Sequence, residues 1–122
     1  MPFDLNRVEL IGRLGRDPEL RYTPDGKSVT NFRLATNRRG RPETKPETDW
    51  HTIVCWDKLA EFAAEYLTKG RLIFIAGRLV YRSWQGRDGR PRSAAEVVAR
   101  ELILLDRRPD DAATEVDDDV PF

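Results

Sequence analysis

The sequence predicts an all-β barrel of five strands with one helix between the third and fourth, followed by an acidic tail. Three observations lead there. Five stretches are apolar at alternate positions or apolar throughout, as half-buried strands are. A single stretch, beginning at residue 57, repeats its apolar residues at helical spacing. Glycine and proline turn signals separate these stretches. The chain's 122 residues suit one small domain with a short appendage.

Arg7 to Arg16 reads as the first strand, with Val8 and Leu10 alternating with charged neighbours. Gly12 after Ile11 breaks the alternation and implies a bulge or sharp bend, which small barrels need at corners. Asp17-Pro18 ends that strand. Pro24-Asp25-Gly26 is a turn, proline presetting φ and glycine accepting φ > 0. The second strand runs from Ser28 to Thr36, with Phe32 and Leu34 on one face and Asn31, Arg33 and Ala35 on the other. Asn37 to Glu47 holds no large apolar residue and reads as a flexible basic loop carrying Arg38, Arg39, Arg41 and Lys45.

Asp49 to Asp57 is the third strand. Parity puts Trp50, Thr52, Val54 and Trp56 on one side and His51, Ile53 and Cys55 on the other. Taken alone, the strand leaves two readings equally open: a tryptophan core, or a tryptophan surface awaiting a partner. Asp57 is placed to cap the helix by accepting from its first free N–H groups. Leu59, Phe62, Ala63, Tyr66 and Leu67 form one apolar helix face, aromatics in the core, and Gly70 stops the helix in a left-handed C-terminal position. The fourth strand, Leu72 to Trp84, places Ile73, Ile75, Gly77, Leu79 and Tyr81 on one face. Its other face begins with Leu72, Phe74 and Ala76 and ends with Arg78, Val80, Arg82 and Trp84. Gln85 to Pro91 is a glycine-rich, basic hairpin loop, and the fifth strand runs from about Arg92 to Leu105. The helix and the apolar sides of strands two and four fill a core without Trp50 and Trp56. Arg78, Arg82 and Trp84 offer the same outward chemistry on a later strand, and both observations weigh toward the tryptophan surface.

Five antiparallel strands with the helix so placed describe an OB-fold, whose second- and third-strand face and adjacent loops bind oligonucleotides or oligosaccharides. Residues 1–106 form that domain. Residues 107–122 are a short linker and acidic tail, with too few apolar residues to offset the entropy of ordering, and are expected to be disordered alone. Charge is divided in the same way. The chain balances 21 basic against 21 acidic residues, but residues 110–122 hold six acidic and no basic ones, so residues 1–109 carry an excess of six positive charges. A basic body suits a polyanion. Sequence-independent binding of a single nucleic-acid strand needs aromatic faces for bases and a basic track for phosphates. Trp50, Trp56 and Trp84 are candidates for the first; Arg33, Arg38, Arg39, Arg41, Lys58, Arg78 and Arg82 for the second. A single arginine among these is as readily a solvated surface charge; the combination is what points to the strand.

Several motifs resemble the bacterial single-stranded DNA-binding protein family. They are Asn6-Arg7-Val8, the run from Gly12 to Tyr22, Leu34-Ala35-Thr36, Asp49-Trp50-His51, Lys58 to Glu61, Glu65 to Gly70, and the terminal Asp117-Asp118-Asp119-Val120-Pro121-Phe122. The resemblance implies base stacking at Trp50, Trp56 and Trp84, with Arg82 and Lys58 near the DNA path and His51 at a subunit interface. It further implies a homotetramer wrapped by DNA, at the bacterial nucleoid in the cytoplasm. The last six residues, Asp117 to Phe122, would recruit replication, recombination and repair proteins. An apolar Val120-Pro121-Phe122 anchor with a free carboxylate suits a hydrophobic pocket with a basic rim. Two departures stand out: the loop beginning Arg38-Arg39-Gly40-Arg41 lacks the stacking aromatic the family often has there, and only about ten residues separate the last strand from the acidic tip.

Other classes fit poorly. No apolar run approaches the ~20 residues of a membrane span, and the N-terminus lacks a hydrophobic signal core. One cysteine makes no internal disulfide, which fits a reducing cytosol. With one histidine as well, a structural zinc site is unfavourable, and no cofactor is expected. An enzyme would have to draw on Asp17, Asp25, Asp49 and Asp57, each of which a turn or cap explains. The remaining rival is an OB module whose tryptophans meet protein rather than DNA.

Overall fold

Six strands and one helix follow one another in a computed structural model that describes residues 3–38, 45 and 47–106. They are β1 (Val8–Leu14), β2 (Glu19–Tyr22), β3 (Ser28–Arg38), β4 (Glu47–Trp56), α1 (Asp57–Tyr66), β5 (Leu72–Gln85) and β6 (Pro91–Leu104). Neighbours pair in the order β1-β5-β6-β4-β3, and β1 returns to β3 through Arg13↔Ala35 and Leu14↔Leu34. That last pairing closes a five-stranded barrel, the expected OB-fold, with the helix between its third and fourth strands.

Two features of the sheet depart from expectation. The strands are not all antiparallel, because β4 and β6 run parallel through Thr52↔Glu96, Ile53↔Val97 and Val54↔Val98. They can do so because α1 and the whole of β5 intervene, a connection long enough to reverse the chain twice. β2 is additional: it pairs only with β3, Glu19↔Asn31 to Tyr22↔Ser28, and all four of its residues are exposed. A strand with no buried face leaves no alternating signature in the sequence. Its turn was legible nonetheless, since Gly26 donates to the Thr23 carbonyl and Thr23 to the Lys27 carbonyl, with Gly26 at φ 91°.

Alternation positions the core. Phe32, Leu34, Ile53, Cys55, Ile73, Ile75 and Val97 point inward and are buried, and Val8, Leu10, Leu79, Leu102 and Leu104 pack at the margin. Gly12 stands at the expected corner, where β1 passes from β5 to β3. A Cβ there would lie 2.2 Å from the Ala35 carbonyl oxygen. On β6 the inward residues are Val97 and Ala99, then Leu102 and Leu104. The change of parity comes from a bulge: Ala76 pairs with Glu101 but Gly77 with Ala99, leaving Arg100 as the extra residue.

The helix turns Leu59, Ala63 and Leu67 of the expected face to the core, but not the two aromatics. It buries Ala60 and Ala63, with Leu67 buried at its C-cap, while Phe62 is half-buried and Tyr66 is 47% exposed, their rings 4.8 Å apart on the flank. Small residues let α1 approach the barrel closely enough for the Thr30 hydroxyl to donate to the Ala60 carbonyl at 2.8 Å. The larger side chains are displaced to the rim. Asp57 does not cap with its carboxylate. It is the first helical residue, at φ 57°, and its carbonyl accepts from the Ser28 hydroxyl. Gly70 is left-handed as expected, at φ 87°, but in the turn that follows the helix, where Arg71 donates to the Thr68 carbonyl.

Candidate nucleic-acid interface

β3, β4, β6 and β5 lie side by side, so their outward residues form rows across the sheet. One row runs Arg33–Thr52–Glu96–Val80, and the next, nearer the helix, runs Asn31–Val54–Val98–Arg78. Trp50 stands beyond the first row, paired with Ala35; Trp56 stands toward the helix, paired with Val29. Six residues of extended chain put the two indoles roughly 20 Å apart along β4. Trp84 lies on the same face of β5 as Arg78 and Arg82, where β5 and β6 run on as a two-stranded ribbon. The three tryptophans are 48%, 39% and 41% exposed, whereas Ile53 and Cys55 on the opposite parity are fully buried. The tryptophan face is the surface.

Each indole has a distinct setting. Arg33 holds its guanidinium 5.1 Å from the centre of the Trp50 ring, and the far edge of that ring rests on Gly15. Arg82 lies 4.9 Å from the centre of the Trp84 ring. Such cation–π contacts are worth about 0.5–1 kcal/mol when exposed. Trp56 walls a hollow of about 290 Å³ with Thr23, Asp25, Lys27 and Asp57.

The candidate cations differ in what already holds them. Arg33, Lys58 and Arg78 are exposed and have no ion pair among the described residues. Arg82 donates from Nε to Glu96 at 3.2 Å. Arg38 belongs to the end of β3 and not to the loop, because the β3–β4 ladder extends to Arg38↔Glu47. It is gripped by both neighbours, Glu47 at 3.0 Å and Asp49 at 2.9 Å. That guanidinium holds the Asp49 carboxyl below the usual carboxylate range, and Asp49 raises Arg38 in turn. Arg39, Arg41 and the tail motif Asp117, Asp118, Asp119, Val120, Pro121 and Phe122 lie outside the described residues. So does residues 107–122 as a whole, including the disorder expected of it. His51 is half-buried on the inward side of β4 and shares a 2.8 Å hydrogen bond with the Thr36 hydroxyl.

Three contributors to this surface escaped the sequence: Gly15, Lys27 and Glu96. Gly15 and Trp50 are brought together only by the closure of β1 against β3. Glu96 reaches Arg82 only through the β5–β6 register. Of the four aspartates on which an enzyme would draw, three have carboxylates that are otherwise engaged, and Asp57 is held through its backbone carbonyl alone. Asp17 accepts from the Lys69 N–H, Asp25 from the Thr23 hydroxyl, and Asp49 from Arg38. Among the described residues no group of three or more His, Cys, Asp or Glu is placed to hold a metal ion. Burial pushes the single thiol, Cys55, up to about 12, so it is an inert core group at neutral pH. No helix among the described residues is long and apolar enough to cross a membrane.

Known proteins share this chain's sequence and fold. The profile of the single-strand binding protein family matches residues 5–105. A single-stranded DNA-binding protein of Neisseria meningitidis serogroup A is 48% identical over 109 residues, covering 85% of this chain and 62% of that protein. The chain thus spans less than two thirds of that relative's length. A single-stranded DNA-binding protein of Thermotoga maritima is 42% identical over 118 residues, 94% of this chain and 84% of that one. Among solved structures, a Plasmodium falciparum SSB complex with ssDNA superposes with a TM-score of 0.77 at 36% identity, covering 87% of this chain and 99% of that chain.

Proposed function

The chain belongs to the single-strand binding protein family, and we propose that it binds single-stranded DNA without reading its sequence. The observation that carries this reading is one sheet face with three exposed tryptophans, two of them under arginine guanidinium groups. Every base has a π-face, so indoles accept any of them, and cations beside the rings meet the phosphates that link successive bases. Trp50, Trp56 and Trp84 are the stacking platforms. Arg33, Arg78, Arg82 and Lys58 form the phosphate track, with Arg38 contributing from the end of β3 and Arg39 and Arg41 from the segment that follows it. The family is one of binding proteins, not enzymes, and protection of transient single strands follows from covering bases and neutralising phosphates.

The finer reading extends to assembly and partners. A homotetramer, with His51 at a subunit interface, would present several such faces to one strand. The terminal Asp117 to Phe122 would recruit replication, recombination and repair proteins, in the bacterial cytoplasm at the nucleoid. Support for this is the sequence of the tip: an acidic run for a basic rim and an apolar end for a pocket.

The test is a fluorescence titration with oligo(dT), duplex DNA and RNA at several salt concentrations, with a mass measurement of the free protein. Stacking predicts strong tryptophan quenching by oligo(dT). The double variant Trp50→Ala, Trp84→Ala is expected to weaken binding by several kcal/mol, at ~1–3 kcal/mol per stacked base. Unchanged affinity at matched salt, or absence of quenching, would favour a protein partner for this face and sink the proposal.

A further inference from the structure

At the centre of the outward face stands a carboxylate, where a surface built for phosphates would be expected to carry none. Glu96 lies on β6 between Thr52 of β4 and Val80 of β5, its side chain only 15% exposed. It accepts from Arg82 Nε at 3.2 Å, while the Arg82 side chain is 61% exposed and its guanidinium covers Trp84. Resting on the single-stranded DNA reading above, we propose that Glu96 is a positioning residue: it holds Arg82 against Trp84, so that cation and indole act as one preorganised subsite for a base and its phosphate.

The atoms engaged decide between this role and simple competition with DNA. Glu96 uses only Nε. Both Nη groups, the edge that grips a phosphate oxygen pair, have no partner among the described residues. A phosphate can reach that edge without displacing Glu96. Arg38 is the contrast on the same sheet: Asp49 takes Nε and Nη2, and Glu47 takes Nη1. There a phosphate must displace a carboxylate. Depth separates the two cases as well. Glu96 is packed within the sheet beneath its arginine, whereas Glu47 and Asp49 are 70% and 41% exposed beside theirs. A free Arg82 would sample many rotamers on an exposed ribbon, and ordering such a side chain on binding has a substantial entropic cost. The fixed carboxylate meets that cost during folding.

The role predicts a change of behaviour with genetic background. Glu96→Gln keeps the side chain's size and removes its charge. In the otherwise unchanged protein it is expected to weaken oligo(dT) binding about two- to tenfold, the cost of ordering one long side chain. In an Arg82→Ala background the same substitution should be neutral or tighten binding, because only an unpaired negative charge is then removed from the phosphate path. Unchanged or tighter binding on Glu96→Gln alone, or an equal loss in both backgrounds, overturns the proposal. A second readout needs no DNA. With Trp50→Phe and Trp56→Phe leaving Trp84 as the lone indole, Glu96→Gln should raise acrylamide quenching toward the Arg82→Ala value, and unchanged quenching overturns the role. If Arg82→Ala by itself leaves oligo(dT) affinity unaltered, the single-strand reading of this ribbon fails, while the quenching comparison still decides whether Glu96 positions Arg82.

Discussion

Gly15 and Trp50 show how little separates a seated platform from a displaced one. A Cβ on Gly15 would lie 2.5 Å from Cζ3 of the indole, so any side chain there must push the ring aside. What yields is the tip of a half-exposed side chain, not backbone. Gly15→Ala is therefore expected to leave unfolding free energy within about 1 kcal/mol of the parent, yet reduce oligo(dT) quenching and affinity by up to the ~1–3 kcal/mol of one stacked base. A denaturation curve and a titration of the same preparation check both halves. Asp49 acts in the opposite sense. Asp49 occupies Nε and Nη2 of Arg38 while Glu47 holds Nη1, so Asp49→Asn should open the Nε–Nη2 edge to a phosphate, tighten oligo(dT) binding and steepen the salt dependence by up to about 0.7 in log–log slope, the increment for one more phosphate contact on a single strand. The Asp49 pKa is depressed in the folded protein, so the ion pair persists above the ordinary carboxylate range and is lost as pH falls through the lowered value. A shallower slope in the variant would show that Arg38 faces away from the strand.

At the scale of elements, the β5–β6 hairpin governs where the third tryptophan stands. Its register changes at Ala76/Gly77, and the extra residue Arg100 keeps both halves of β6 facing the core. Gly77 makes that crossing possible: a Cβ there would sit 2.0 Å from the Val98 carbonyl oxygen. Unlike the indole over Gly15, backbone cannot swing away. Gly77→Ala should destabilise the fold by at least the ~1–3 kcal/mol of an overpacked core, read by thermal or denaturant unfolding; a stability unchanged within error would mean the ribbon can shift freely. Beyond the barrel the ribbon closes with Gly86 donating to the Arg90 carbonyl and Gly89 to the Gly86 carbonyl, the same turn pattern seen at Thr23–Lys27. Two such arms, β2–β3 and β5–β6, therefore project tryptophan-bearing or tryptophan-flanking surface from one barrel.

For the whole molecule, the division of charge matters most. Residues 1–109 carry an excess of six positive charges and residues 110–122 six negative ones, joined through a short linker. Tethered close to the barrel, that acidic run is expected to compete weakly with DNA for the basic face. Deleting Asp117 to Phe122 is expected to leave oligo(dT) binding intact or tighter while abolishing capture of partner proteins; loss of DNA binding in that deletion would tie the tail to the binding surface itself. By itself the sequence determined the barrel, the helix between its third and fourth strands, the inward set Phe32, Leu34, Ile53, Cys55, Ile73 and Ile75, and the outward set Trp50, Trp56 and Trp84. Parity along a strand is a local property, and a two-residue period with one apolar side leaves little freedom about what faces the core. It did not determine β2, whose residues bury nothing, nor that the helix would turn Ala60 inward with Ala63 and leave Phe62 and Tyr66 at the rim, because close approach outweighed bulk. The partners of the tryptophans, Gly15 and Arg33 at Trp50 and the Glu96–Arg82 pair at Trp84, depend on barrel closure and interstrand register. Those are long-range properties, and only the tertiary structure decides them.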